Sequence, residues 1–285
     1  MSDNASRARD RSHRFGGRVA LVSGSTQGLG RALLLRLAED GLAGAVVTGR
    51  DAERGAAVVA ELEALGCEAM FHPAELDSAE QIEALVAAAD DRFGRVDHLA
   101  NCGAVTDRGD IWETTAEFWD WMMAVNVRAP FLLTQGVARL ARRNGTPASV
   151  VNIGSVAGYG GQPFITAYSV SKGALMTMTK TLAFQLMPHH VRVNTVNPGW
   201  MDTPGEDAIQ RKFHDAGDDW LERAEASRPF GRLIKPDELA RTLAFVLSDD
   251  SGMMTGAIID YDQTVLGAGE ADVPPPLAYD DSEDA

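Results

Sequence analysis

The stretch Val19-Ala20-Leu21-Val22-Ser23-Gly24-Ser25-Thr26-Gln27-Gly28-Leu29-Gly30 decides how the rest of the chain reads. Four apolar residues make a short buried strand, three glycines break it, and Ala32 to Ala38 then carry helical periodicity up to Gly41. A strand running through a glycine-rich turn into a helix leaves free backbone N–H groups and the positive end of the helix dipole facing one point. Glycine there lets the backbone approach a pyrophosphate closely. A glycine-rich stretch alone is equally an ordinary tight turn. Its position between the first strand and the first helix is what gives this one weight.

Outward from that unit the same alternation repeats. Strands are expected at Ala45–Thr48, Glu68–Phe71, Val96–Ala100, Ser149–Ile153, Val191–Val196 and Ala257–Tyr261. Helices are expected over Ala52–Leu65, Ala79–Phe93, Thr115–Arg142, from Tyr168 to about Leu186, and over Pro236–Leu247. Short apolar strands alternating with helices pair in parallel through right-handed crossovers. The expected fold is therefore α/β, a single doubly wound Rossmann domain with a seven-stranded parallel sheet and helices on both faces. The domain spans 18–270 and includes a mobile, helical substrate insert at about 200–229. Residues 1–17 read as a flexible arm, and 271–285 as an acidic, Pro-containing tail.

Composition narrows the function classes. The 285 residues carry 45% hydrophobic and 24% charged side chains, ordinary for a globular protein, and a net charge of −15. That charge argues against nucleic acid or an anionic membrane as partner. Cys67 and Cys102 lack metal-ligand spacing and read as free thiols of a reducing, cytoplasmic setting. His189-His190 is no metal pair, because adjacent side chains diverge and no further ligand stands at suitable spacing; no metal site is expected.

A second stretch carries chemistry: Ser155-Val-Ala-Gly-Tyr-Gly-Gly-Gln-Pro-Phe-Ile-Thr-Ala-Tyr168-Ser-Val-Ser-Lys172. Positions i and i+4 share a helix face, so Tyr168 and Lys172 point at the same space. Bringing a phenol from a pKa of about 10 to about 7 needs roughly 4 kcal/mol. A charge about 4 Å away at an effective dielectric of about 20 supplies roughly that amount. The reading expects Lys172 to do so. After the second strand comes Thr48-Gly49-Arg50-Asp51. Arg50 suits a ribose 2′-phosphate, and Gly49 leaves the usual acidic position empty. Asp51 reads as a helix cap, or as a ribose ligand after a one-residue shift.

With Gly24, Gly28, Gly30, Ser155, Tyr168 and Lys172 in this order, the chain resembles the short-chain dehydrogenase/reductase family from about Arg18 to Gly267. Asn101-Cys102-Gly103-Ala104, Asn126 in Val-Asn-Val, Pro198-Gly199 with Thr203, and Thr255-Gly256 with Asp262 match further motifs of that family. The resemblance implies hydride transfer between a nicotinamide cofactor, NADP preferred and NAD possible, and a secondary alcohol or carbonyl. It implies Tyr168 as general acid/base, Lys172 as its pKa-lowering partner, Ser155 holding the reacting oxygen and Asn126 positioning a relay water. It also implies cofactor contacts from Ser23, Ser25, Gln27, Leu29, Glu75, Leu76, Asn101, Gly103, Pro198, Gly199, Met201 and Thr203. Cys102 for asparagine, Ser23 for threonine and Asp262-Gln263-Thr264 for Asp-Gly-Gly depart from the family pattern without removing a proton-transfer group.

Pocket walls are expected from Ala157, Tyr159, Gln162, Trp200, Met201 and the insert, including Glu206, Gln210, His214 and Trp220. Their mix of donors, acceptors and aromatics suits a sugar or polyol, with a ketone or 3-ketoacyl substrate as the alternative. A non-catalytic NAD(P)-sensing protein and a lyase or epimerase on the same fold are the other readings. The apolar cluster Trp112, Phe118, Trp119, Trp121, Met122 and Met123 reads as core or subunit interface, and the resemblance implies a homotetramer.

Overall fold

The computed structural model of the protein describes residues 14–265. Its strands are β1 (Val19–Ser23), β2 (Gly44–Gly49), β3 (Glu68–Pro73), β4 (His98–Asn101), β5 (Ala148–Ile153), β6 (Val191–Pro198) and β7 (Ile258–Tyr261). They form one sheet in the order β3-β2-β1-β4-β5-β6-β7, every pair parallel. The helices are α1 (Gly28–Glu39), α2 (Ala52–Ala64), α3 (Ala79–Phe93), α4 (Ala116–Met123), α5 (Ala129–Asn144), α6 (Thr166–Leu186), α7 (Pro204–Phe213), α8 (Trp220–Ala226) and α9 (Pro236–Leu247).

Alternate residues of a strand face opposite ways, and the two cores divide along that line. Ala20 and Val22 of β1 pack with Leu33 and Leu37 of α1 and with Leu239 and Leu243 of α9. Leu21 between them packs on the other face with Leu85 of α3 and Leu133 and Val137 of α5. Both faces of the sheet are covered, which is why the strands read as continuous apolar runs rather than alternating ones. The strand order turns back between β1 and β4. In open parallel sheets a crevice forms at such a point, outside the carboxyl ends of the strands.

Three expectations change in detail. The helix expected over Thr115–Arg142 is not continuous: α4 and α5 are joined by one π turn, Ala124–Arg128. Pro130 lies in the first turn of α5 and has no N–H to give the carbonyl four residues back, that of Asn126, so the ladder widens there. Of the arm expected over 1–17, only residues from Arg14 on are described. Arg14 to Gly17 form a turn in which Phe15 is fully buried, its ring edge-on to His98 at 5.1 Å, and Arg14 pairs with Asp250 at 2.8 Å. Residues 1–13 and the expected tail 271–285 lie outside the described residues. The insert holds two helices, α7 and α8, around a small core of its own, Trp220, Ala224 and Leu233 with Trp200 packed on it. Among the described residues no helix is long and apolar enough to cross a membrane.

Candidate active site

The crevice between β1 and β4 is a single cavity of about 940 Å³. At one end the turn after β1 starts α1. Gly24 has φ +63°, and a Cβ there would stand 2.6 Å from the Gly103 Cα; a Cβ on Gly30 would meet the Gly24 carbonyl at 2.6 Å. The turn is thus packed to backbone contact against the loop after β4, which only glycine permits. Gln27, at the N-cap of α1, makes no side-chain cap bond and the first turn holds no acid. By contrast Asp51, Ser78 and Thr115 each cap their helices with a side chain. The free N–H groups at the start of α1 face the cavity and suit a pyrophosphate.

The other wall comes from β5 and α6. Ser155 follows β5, and its hydroxyl accepts from the Ala157 N–H at 3.1 Å. Tyr168, Ser171 and Lys172 lie on α6. Burial pushes the Tyr168 phenol above its usual range; a hydrogen bond with Ser155 and the Arg108 cation pull it down, while the Glu206 carboxylate pushes it up. Lys172 is 3% exposed and donates to the Ile153 carbonyl at 2.8 Å. Burial brings its ammonium down to about 8.

Tyr168 and Lys172 do share a helix face, but the ammonium lies over the phenol ring, 5.6 Å from its centroid, and reaches past it to the end of β5.

Behind these groups runs a buried polar chain. Asn101 donates to Asn152 at 2.7 Å, Asn152 to Thr179 at 2.8 Å, and Thr179 meets Thr195 at 2.7 Å, tying β4, β5, α6 and β6 together. Asn126, on the π turn, receives the Val105 N–H at 2.9 Å and donates to the Val105 carbonyl at 3.0 Å and the Ser171 hydroxyl at 3.1 Å. It fastens the loop after β4 to α6.

Of the residues expected at the site, all but Ser23, Ser25, Asn101, Asn126, Tyr159 and Trp220 line the cavity; Trp220 is buried in the insert's own core. Ser23 holds the loop from behind, accepting the Gly103 N–H at 3.1 Å. Ser25 joins β1 to β2 through the Val22 carbonyl at 2.6 Å and the Thr48 N–H at 3.1 Å. Tyr159 is expected in the pocket wall but is 52% exposed and turned to β7, where its hydroxyl meets Asp260 at 3.0 Å. Thr203 lines the cavity while its hydroxyl caps α7, accepting the Glu206 N–H at 3.0 Å.

Several lining residues escape a reading of the sequence. Arg54 donates to Asp51 at 2.7 Å and also bonds Gln27, at the edge where Arg50 stands exposed. Its signal was available: three residues after a cap, it faces the same end of the turn. Trp121, expected in core or interface, lines the cavity. Arg108 is brought in by the loop after β4, Nε donating to His214 at 3.2 Å and Nη1 to the Thr106 carbonyl at 3.0 Å. No local pattern marks it, because His214 and Glu206 lie about a hundred residues away. Among the described residues no three His, Cys, Asp or Glu side chains gather as a metal site.

Known proteins are similar to this chain. A family model described as Enoyl-(Acyl carrier protein) reductase matches residues 24–264. The chain is 35% identical over 249 residues to an uncharacterised oxidoreductase of Thermotoga maritima, covering 87% of this chain and 97% of that protein. It is 33% identical over 252 residues to the 3-oxoacyl-(acyl-carrier-protein) reductase of the same organism, covering 87% and 98%. The crystal structure of an actinorhodin polyketide ketoreductase variant with NADPH superposes with a TM-score of 0.81 at 30% identity, covering 86% of this chain and 96% of that one.

Proposed function

From the premise that the chain belongs to the short-chain dehydrogenase/reductase family and is an NAD(P)-dependent oxidoreductase, we propose that it reduces a ketone, NADPH being the preferred cofactor and Tyr168 the proton donor. The observation that carries this reading is one continuous cavity with the uncapped glycine turn at one end and Ser155, Tyr168 and Lys172 at the other.

The residues present fit a dinucleotide. The α1 N-terminus would take the pyrophosphate, Pro198 and Gly199 would wall the nicotinamide, and Leu76, which lies against Gly103, would border the cofactor. The bound nicotinamide supplies or accepts the hydride. The chain does the rest. Ser155 and Tyr168 together grip the substrate oxygen, and the Tyr168 hydroxyl gives it a proton in reduction or takes one in oxidation. The ammonium of Lys172 keeps positive charge beside the phenolate left behind. Asn126 acts at one remove, fixing the loop that closes the cavity.

Arg50 and Arg54 support NADPH. Asp51 is engaged by the Arg54 backbone and side chain at 2.9 and 2.7 Å, which holds its carboxyl below the usual range, and moving it to a ribose would uncap α2. Arg50→Ala is expected to weaken NADPH far more than NADH by fluorescence titration; equal weakening would remove Arg50 from the cofactor site.

A sugar or polyol is the less favoured substrate, because the insert's carboxylates are already engaged. Glu206 Oε1 receives Trp200 at 2.8 Å and Gln210 at 2.7 Å, and Asp207 receives Trp220 at 2.7 Å and Arg211 at 3.0 Å. Few acceptors remain for a row of hydroxyls. Ketones, 3-ketoacyl thioesters, sugars and polyols assayed with both cofactors test the reading; turnover of polyols alone would reverse it. Exposed apolar side chains on α5 and α6 favour a homo-oligomer, and the unpaired Cys67 and Cys102 a reducing, cytoplasmic compartment, which cell fractionation would check.

A further inference from the structure

We propose that the substrate carries an anionic group, a carboxylate or phosphate apart from the reacting carbon, held by Arg228, with Arg108 lining the same cavity. The proposal rests on the ketone-reductase reading and adds its substrate class.

On the insert side of the cavity one cation, Arg228, has no carboxylate partner among the described residues. Arg228 lines the cavity with its guanidinium stacked on the Trp200 ring, 5.2 Å from the centroid. Its Nε donates to the Ser227 hydroxyl at 3.2 Å, and among the described residues no carboxylate pairs with it. The nearest acid in sequence, Glu225, is engaged elsewhere, by the Lys235 ammonium at 2.7 Å. Arg108 lies 5.5 Å from the Phe164 ring and 3.9 Å from Glu206, the carboxylate already shared by Trp200 and Gln210. His214 accepts from Arg108 through Nε2, so its Nδ1 carries the proton and is a further donor.

The acids of this wall have partners of their own. Asp107 pairs with Lys212 at 2.7 Å, and Asp262 packs on Gly199 and bonds Thr264. What remains to meet a ligand is a stacked, planar cation with free N–H groups, with Arg108 and the His214 ring also lining the cavity. Guanidinium forks match two oxygens of a carboxylate or phosphate and bind them bidentately. A neutral substrate would leave that fork desolvated without a partner, which disfavours it.

The test is binding to the enzyme–NADP complex by calorimetry, which needs no turnover. One arm compares 4-oxopentanoate with 4-oxopentanamide; the other compares dihydroxyacetone phosphate with dihydroxyacetone. In at least one arm the anion is expected to bind ten times tighter or more. Arg228→Gln should bring that ratio down toward one, and Arg228→Lys should keep part of it. The arm that responds identifies carboxylate or phosphate. Ratios below threefold in both arms, or a ratio that Arg228→Gln leaves intact, overturn the proposal. If the ratio holds while no ketone is turned over with either cofactor, the anion site stands and the reductase reading falls.

Discussion

His98 shows how a single buried residue sets the protein's response to acid. Neither ring nitrogen has a partner, Phe15 closes over the ring, and burial holds its pKa down at about 4 against 6.5 when free, despite the pull of Asp97. The unfolded chain takes up a proton that the folded one refuses. Stability is whole above pH 6.5 and is lost as pH falls toward 4. At pH 5 that loss is about 2 kcal/mol. His98→Leu should therefore be stabilised relative to the native chain by about that much more at pH 5 than at pH 8. Urea denaturation at the two values checks it, and an unchanged difference would show that folded His98 takes up the proton as readily as the unfolded chain does. Gly24 is decided by space: φ of +63° and a Cβ 2.6 Å from Gly103 leave no room for Ala. Gly24→Ala should cost about 1–2 kcal/mol of stability and weaken NADPH at least tenfold. A variant binding NADPH normally would separate the turn from the cofactor.

Among the elements, the π turn between α4 and α5 does the most for the site. It turns Asn126 inward to hold both the N–H and the carbonyl of Val105, at the head of the loop that carries Arg108. Asn126→Ala would leave those buried groups unpaired and should lower stability by about 1–3 kcal/mol. It should also lower kcat, since the loop is freed from α6; unchanged kcat and melting temperature would mean the turn bears no load. Sequence periodicity showed the strands and the glycine turn well, because a two-faced core imposes continuous apolar runs and only glycine fits the turn. It placed Asn126 but not the π turn, since a 3.6-residue pattern continues through it. It put Tyr159 in the pocket wall, although its hydroxyl is drawn outward by Asp260, a partner on β7 with no local signature. Arg108 and Arg228 were missed for the same reason: the cavity joins loops distant in sequence.

For the whole molecule, the pairing of a long cavity with an apolar outer face matters most. Trp112 is 88% exposed and Phe184 78%, with Ile111, Phe131 and Met187 also outward on the stretch that includes α4, α5 and α6. Such a face calls for a second copy. Light scattering should give a mass above one chain, reduced in Phe184→Lys; a native monomer would contradict it. The central claim is that this cavity passes a hydride between a nicotinamide and a ketone while Tyr168 moves the proton. Its most direct test is the rate of ketone-dependent NADPH consumption in the native enzyme and in Tyr168→Phe, with NADPH affinity measured in both. Affinity should be kept and the rate should fall about 10²–10⁴-fold. A Tyr168→Phe enzyme that binds NADPH and turns over at the native rate would contradict the account.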